Sequence, residues 1–131
     1  MSTTIKQPEI EIAKELKELI ATQTETESQV IVHINCYSGM YPTQVRIWNN
    51  VFLLCKDTGA KSKLLFSDNI AVYPQWTELK AYKDLDFTLV FENLPKECRK
   101  FDLIEQIPET GGFFFKDIQR NNSNVYSLEM M

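Results

Sequence analysis

Most of the residue types on which catalysis and flexible architecture depend are scarce in this chain. Among 131 residues there is one histidine, with three cysteines, four glycines and five prolines. A single histidine, His33, must carry any histidine-dependent scheme, and zinc, which takes three or four clustered ligands, finds too few. Cys36 follows three residues later; in an extended strand that spacing puts the two side chains on opposite faces, about 10 Å apart along the chain, so no local Cys–His pair forms. Cys36, Cys55 and Cys98 are odd in number and widely separated. They form neither a disulfide framework nor a C-x-x-C site, and the expectation is reduced thiols in a cytoplasm. So few glycines and prolines leave little room for long linkers.

Long apolar runs are missing too. No segment approaches the roughly 20 apolar residues of a membrane helix. The opening MSTTIKQPEIEIAKELKELI lacks a basic stretch followed by an apolar one, so no secretory signal is expected. Positive charge is not in excess: the net charge is −4. Residues 1–65 hold seven Lys/Arg against seven Asp/Glu, and residues 66–131 hold seven against eleven, so the acidic surplus lies in the second half. Nucleic acid and anionic membrane surfaces are therefore not expected as partners. No G-x-G-x-x-G, Walker or G-x-S-x-G sequence occurs, and no cofactor is expected.

What is present is a change of period. Residues 8–21, PEIEIAKELKELIA, read as an amphipathic helix, with Pro8 suited to its first position and Ile12, Leu16, Leu19 and Ile20 on one stripe. The polar run 22–28 is a tether, which divides the chain into 1–28 and a β domain at 29–131. From QVIVHINCY onward the apolar spacing is two. VRIWNNVFLLC (with a bulge or turn at Asn49-Asn50), KLLFS, NIAVYPQW, DFTLVFENL, RKFDLIEQI, GFFFKDIQR and NVYSLEM are further strand candidates. Short strands at close spacing, with no βαβ alternation, predict an antiparallel β-sandwich, immunoglobulin-like or related, of seven or eight strands with one N-terminal helix. In GGFFFK, glycine supplies the corner; Phe113 and Phe115 then face one layer and Phe114 the other.

Several short motifs carry possible chemistry. Asp57-Thr58-Gly59-Ala60 resembles the catalytic loop of aspartic proteases, and GGFFFK is similar to the flap of their short dimeric retroviral members. The resemblance implies a dyad of two Asp57 carboxylates, one per subunit, sharing a proton. It covers about ten residues and departs from the family pattern at Cys55-Lys56, where buried apolar residues belong, and in lacking the later apolar-apolar-Gly-Arg element. The alternative is a hairpin turn. Carboxylate pairs such as Glu105 and Glu109 are too common on an acidic chain to signal glycoside hydrolysis. Trp48, Tyr73, Trp76, Phe114 and Tyr126 lie in or beside predicted strands and are the candidate binding residues, with core packing as the alternative for each.

From about Arg46 to residue 128 the chain resembles a set of short uncharacterised bacterial proteins, through RIWNNVFLL, KSKLLFSDNIAVYPQWTEL, FTLVFENLPKECRKFDLIEQIPETGGFFF and IQRNNSNVYSLEM. FTLVFENLP is also similar to a β-sandwich segment found as an accessory module in bacterial proteins. The resemblance implies the fold and brings no reaction, cofactor or catalytic residue. The expected function is a non-catalytic, cytoplasmic protein-interaction module that self-associates through the helix stripe or an exposed strand edge. The alternatives are a carrier of an apolar ligand lined by Trp76 and Phe113–Phe115, or an aspartic protease using Asp57.

Overall fold

The computed structural model describes residues 29–108 and 111–130. The predicted helix at 8–21 lies outside them. Nine strands follow in order: β1 (Val30–Tyr37), β2 (Thr43–Val45), β3 (Val51–Cys55), β4 (Lys61–Asp68), β5 (Thr77–Leu79), β6 (Asp84–Phe91), β7 (Lys100–Glu105), β8 (Phe114–Gln119) and β9 (Val125–Met130). Seven make one sheet in the order β8-β7-β3-β4-β6-β1-β9, and β2 pairs separately with β5. The described part is mainly β, as the period-two pattern predicts.

The sandwich expectation is revised. One sheet supplies the core by curling on itself, and it is mixed, because β9 runs parallel to β1 while the other pairings are antiparallel. The reason is a length constraint. β8 and β9 are successive in the chain yet occupy opposite edges of the sheet. Seven flat strands would hold those edges about 29 Å apart. The six Cα steps from Gln119 to Val125 reach only about 21 Å. Curling brings the edges together, and the rings of Phe101 on β7 and Tyr126 on β9 meet edge to face at 5.1 Å although four strands lie between them.

The inward positions are the alternating apolar ones. Val30, Val32 and Ile34 of β1, Val51 and Leu53 of β3, Phe87, Leu89 and Phe91 of β6, and Phe101 and Leu103 of β7 are all buried. The phenylalanine run alternates as expected: Phe113 and Phe115 pack on the core while Phe114 is 56% exposed. NIAVYPQW, in contrast, is not a strand. Asn69 takes φ 65°, Pro74 has no N–H to give a ladder, and only Val72 makes a bridge, to Ile47. Asn49-Asn50 separates β2 from β3 instead of bulging one strand.

One end of the curl is fastened shut. The Arg120 guanidinium donates to the carbonyls of Pro95 and Cys98, both at 2.9 Å, and through Nε to Asn124 Oδ1 at 3.0 Å. Beside it, Cys55 at the end of β3 is joined to Cys98 in the β6–β7 connection. This corrects the expectation of three reduced thiols: the two cysteines lie 43 residues apart in sequence, so only the tertiary fold could pair them. Cys36 remains free and buried. Lys56 reaches the buried Asp102 at 3.3 Å and Asp117 at 3.6 Å across the neighbouring strand ends. Its ammonium pKa is raised by the hydrogen bond to Asp102.

Two stability outcomes follow. A side chain at Gly112 would strike the carbonyl oxygen of Glu105, so Gly112→Ala forces the backbones apart; denaturant melts should show a loss of about 1–3 kcal/mol. Replacing Cys55 and Cys98 together by Ala opens a loop of 43 residues, and loop entropy puts the loss at about 4 kcal/mol, measured by urea unfolding without reductant. A doubly substituted chain as stable as the native one would mean the cross-link restrains nothing in the unfolded state.

Candidate functional site

The opposite end of the curl is open. A cavity of about 240 Å³ lies there, floored by Cys36, Phe87 and Met130 from β1, β6 and β9, and flanked by Ile107 and Phe113. Its roof is the segment 44–48 together with Ile70 and Trp76. That roof is tied down by backbone. Ile47 N–H donates to Ala71 O at 2.9 Å, Tyr73 N–H to Ile47 O at 2.8 Å, and Ala71 N–H to the Thr77 hydroxyl at 2.9 Å. Buried Ile47 anchors the segment, and its neighbours Arg46 and Trp48 project away from the anchor because extended side chains alternate.

Arg46 and three of the five predicted aromatic residues come together on that roof. Trp48 and Tyr73 stack with centroids 3.9 Å apart and planes 17° from parallel. The Arg46 guanidinium carbon lies 3.8 Å from the Trp76 ring centroid and 4.6 Å from that of Tyr73, a cation–π arrangement with both rings. One guanidinium N–H donates to Pro74 O at 3.2 Å. Among the described residues no carboxylate lies within salt-bridge distance of Arg46. Trp76 and Tyr73 keep 49% and 48% of their surface exposed, so the cluster is ordered yet open to a partner.

Further exposed apolar side chains lie at the same end. Tyr37 at the end of β1 is exposed, as are Met40, Tyr41 and Tyr82 on two loops joined by Ser38 N–H to Lys83 O at 2.9 Å and Tyr82 N–H to Gly39 O at 2.7 Å. These loops leave the ends of β1 and β6 on the open side. Large exposed apolar side chains are thus concentrated on the loops of one end.

Glu105 braces the site from within. Only 8% exposed, it accepts Trp48 N–H at 2.8 Å on Oε2 and Phe113 N–H at 3.3 Å on Oε1, joining three separate segments. Burial pushes its carboxyl pKa above the ordinary value, while the two backbone hydrogen bonds and the Arg46 charge pull the other way.

The other candidates lie elsewhere. Tyr126 is a core residue whose hydroxyl accepts Asn121 N–H at 3.1 Å, and Phe114 is on the outer face of β8. Asp57 occupies the exposed β3–β4 hairpin turn at the closed end, with Gly59 at φ 78°, and its Oδ2 accepts Arg99 N–H at 2.6 Å. That is the hairpin-turn alternative for D-T-G. His33 stands on the outer face, 2.8 Å from the Thr88 hydroxyl. Burial raises the Cys36 thiol pKa, which disfavours thiolate chemistry. Ligand atoms of Cys55, Cys98 and Asp57 fall within 4.8 Å of one another, but the two sulfurs are bonded together and so lack thiolate character.

Arg46 and Glu105 were not recognised from sequence as partners of the aromatic set. The spacing Arg46-x-Trp48 held a signal, since positions i and i+2 share a face in extended chain. Nothing local announced Glu105. Comparison of the chain with protein-family models, curated proteins and solved structures finds no match.

The pH dependence of stability reports on Glu105. With a folded-state pKa raised above 4.5, its carboxyl is best accommodated when protonated. The native chain should therefore lose stability relative to Glu105→Gln as pH rises from about 4 to 7. Thermal melts of both proteins across that range measure it, and a constant difference would show that the buried carboxylate carries no ionisation cost.

Proposed function

We propose that this protein is a non-catalytic protein-interaction module whose recognition surface is the open end of the curled sheet, and that it self-associates there. The observation that supports this reading is the gathering of Arg46, Trp48, Tyr73 and Trp76 on a roof held by backbone hydrogen bonds. Trp, Tyr and Arg are the residue types that dominate binding energy at protein interfaces. Side chains already ordered on one another lose little rotamer freedom when a partner arrives. Among the described residues the closed end gathers no comparable set of exposed Trp, Tyr and Arg side chains. The kinship with short bacterial proteins and the cytoplasmic setting belong to the same proposal, as does the view of the curled sheet as a relative of the β-sandwich.

The β8 edge gives less support for self-association by strand pairing. Lys116 and Asp117 are exposed on it, its pairing with β7 is irregular, and Asp117 takes φ 56°. Charge and irregularity of this kind discourage edge-to-edge addition.

A second reading, a carrier of a small apolar ligand, draws on the cavity that Trp76 and Phe113 both line. Its 240 Å³ falls below the roughly 300–1,000 Å³ of most ligand pockets, which favours the interaction reading. Native mass spectrometry showing a retained small molecule would reverse that preference.

Sedimentation velocity over a concentration series tests self-association. The native chain should associate, and Trp76→Ala should weaken association by about tenfold or more, the usual effect of losing a central aromatic anchor. A native chain that stays monomeric at the highest attainable concentration would remove self-association from the reading.

A further inference from the structure

The face of the sheet turned away from the core is not uniform. β9, β1, β6 and β4 lie side by side, and their register sets Val125 beside Ile31, Ile31 beside Val90, and Val90 beside Phe66. Their flanking residues Val30, Val32, Leu89 and Phe91 fill the core, so alternation turns this row outward. One row across four strands is thus wholly apolar. The next row is polar, with His33, Thr88, Ser127 and Asp68. Phe66 and Val125 are exposed, yet Val90 keeps only 5% of its surface.

Two further features mark the end of the sheet where this row lies. Ile31 comes two residues after Gln29, where the described residues begin. Asn93, two residues beyond Val30's partner Phe91, has a buried side-chain oxygen with no hydrogen-bond partner among the described residues. The apolar row and the unmet acceptor are thus both at the end of the sheet where residues 1–28 join it.

We propose that this row is the seat of residues 8–21 of the same chain, with the stripe Ile12, Leu16, Leu19 and Ile20 laid across it. The dimensions agree. As a helix, Ile12 to Ile20 spans about 12 Å, and the row spans about 14 Å from β9 to β4. The tether 22–28 extends to about 23 Å, long enough to return from the start of β1. A stripe held on so short a tether meets the row at an effective concentration in the millimolar range, which a second copy reaches only in concentrated solution. The helix stripe is then used within one chain, leaving the open end to meet partners; the inference does not rest on the proposed function.

Cross-linking in the full chain tests it. Leu16→Cys is paired in turn with Phe66→Cys and Val125→Cys, treated with a short bis-maleimide at low protein concentration, and analysed by denaturing gel and peptide mass spectrometry. Native thiols interfere little, since Cys36 is buried and Cys55 is bonded to Cys98. Both pairs should give cross-linked monomer at tenfold or greater yield over Leu16→Cys with Phe114→Cys, a position on β8 at the open end, away from the row. Cross-linked dimer, or yields no higher than that control, would overturn the proposal. As a second readout, Leu16→Asp with Leu19→Asp should shift the methyl resonances of Ile31 and Val90 while leaving those of core Leu53 in place. Unmoved Ile31 and Val90 methyls would also overturn it.

Discussion

The connection from β8 to β9 is five residues long, and the two strands it joins lie at opposite edges of a seven-stranded sheet. Both facts hold only if the sheet closes on itself. Once it does, a single layer can bury most of its own inner face, with Leu79 of β5 and Val45 of β2 adding to the core. The phenylalanines of β6 and β7 then become valuable, because each fully buried ring contributes roughly 2–3 kcal/mol. Phe101 against Tyr126 is the contact in which the closure is most directly visible. The parallel β1–β9 pairing is part of the same solution: a strand arriving from the β8 edge runs up beside β1 because that is the direction its short link allows.

Closure also makes the two ends unlike. At one, Arg120 gathers carbonyls from the β6–β7 connection and the Cys55–Cys98 bond holds that connection to β3. The carbonyls that Arg120 meets there are satisfied internally. At the other, loops carry the surface. Their rings stay half exposed, while Ile47 and Glu105 keep the loops in place from below. Rigid support beneath exposed aromatic side chains is the arrangement a binding surface requires.

The relation of sequence to structure differs from element to element. β1, β6 and β7 were legible because alternation of apolar side chains is a local property, and the burial of Val30, Val32, Ile34, Phe87, Leu89 and Phe91 follows it residue by residue. The split of the phenylalanine run, with Phe114 outward, was legible for the same reason. NIAVYPQW misled because its apolar spacing resembles a strand, while Asn69 and Pro74 impose a loop that packs its apolar residues on the cavity roof. Trp48, Tyr73 and Trp76 could be named as binding candidates, but not their assembly around Arg46, which needs the 69–76 loop to fold back over the segment at 44–48.

By itself, the sequence determined that the described part of the chain is mainly β and which side of most of its strands is apolar. These follow from period, composition and count, which neighbouring residues settle among themselves. Only the tertiary structure decided that one sheet curls instead of two stacking, that Cys55 meets Cys98, that Tyr126 is core, and that Arg46 lies among three rings. Each of those depends on which strand edges meet, and that is set by connection lengths and long-range register, which no local window of residues contains.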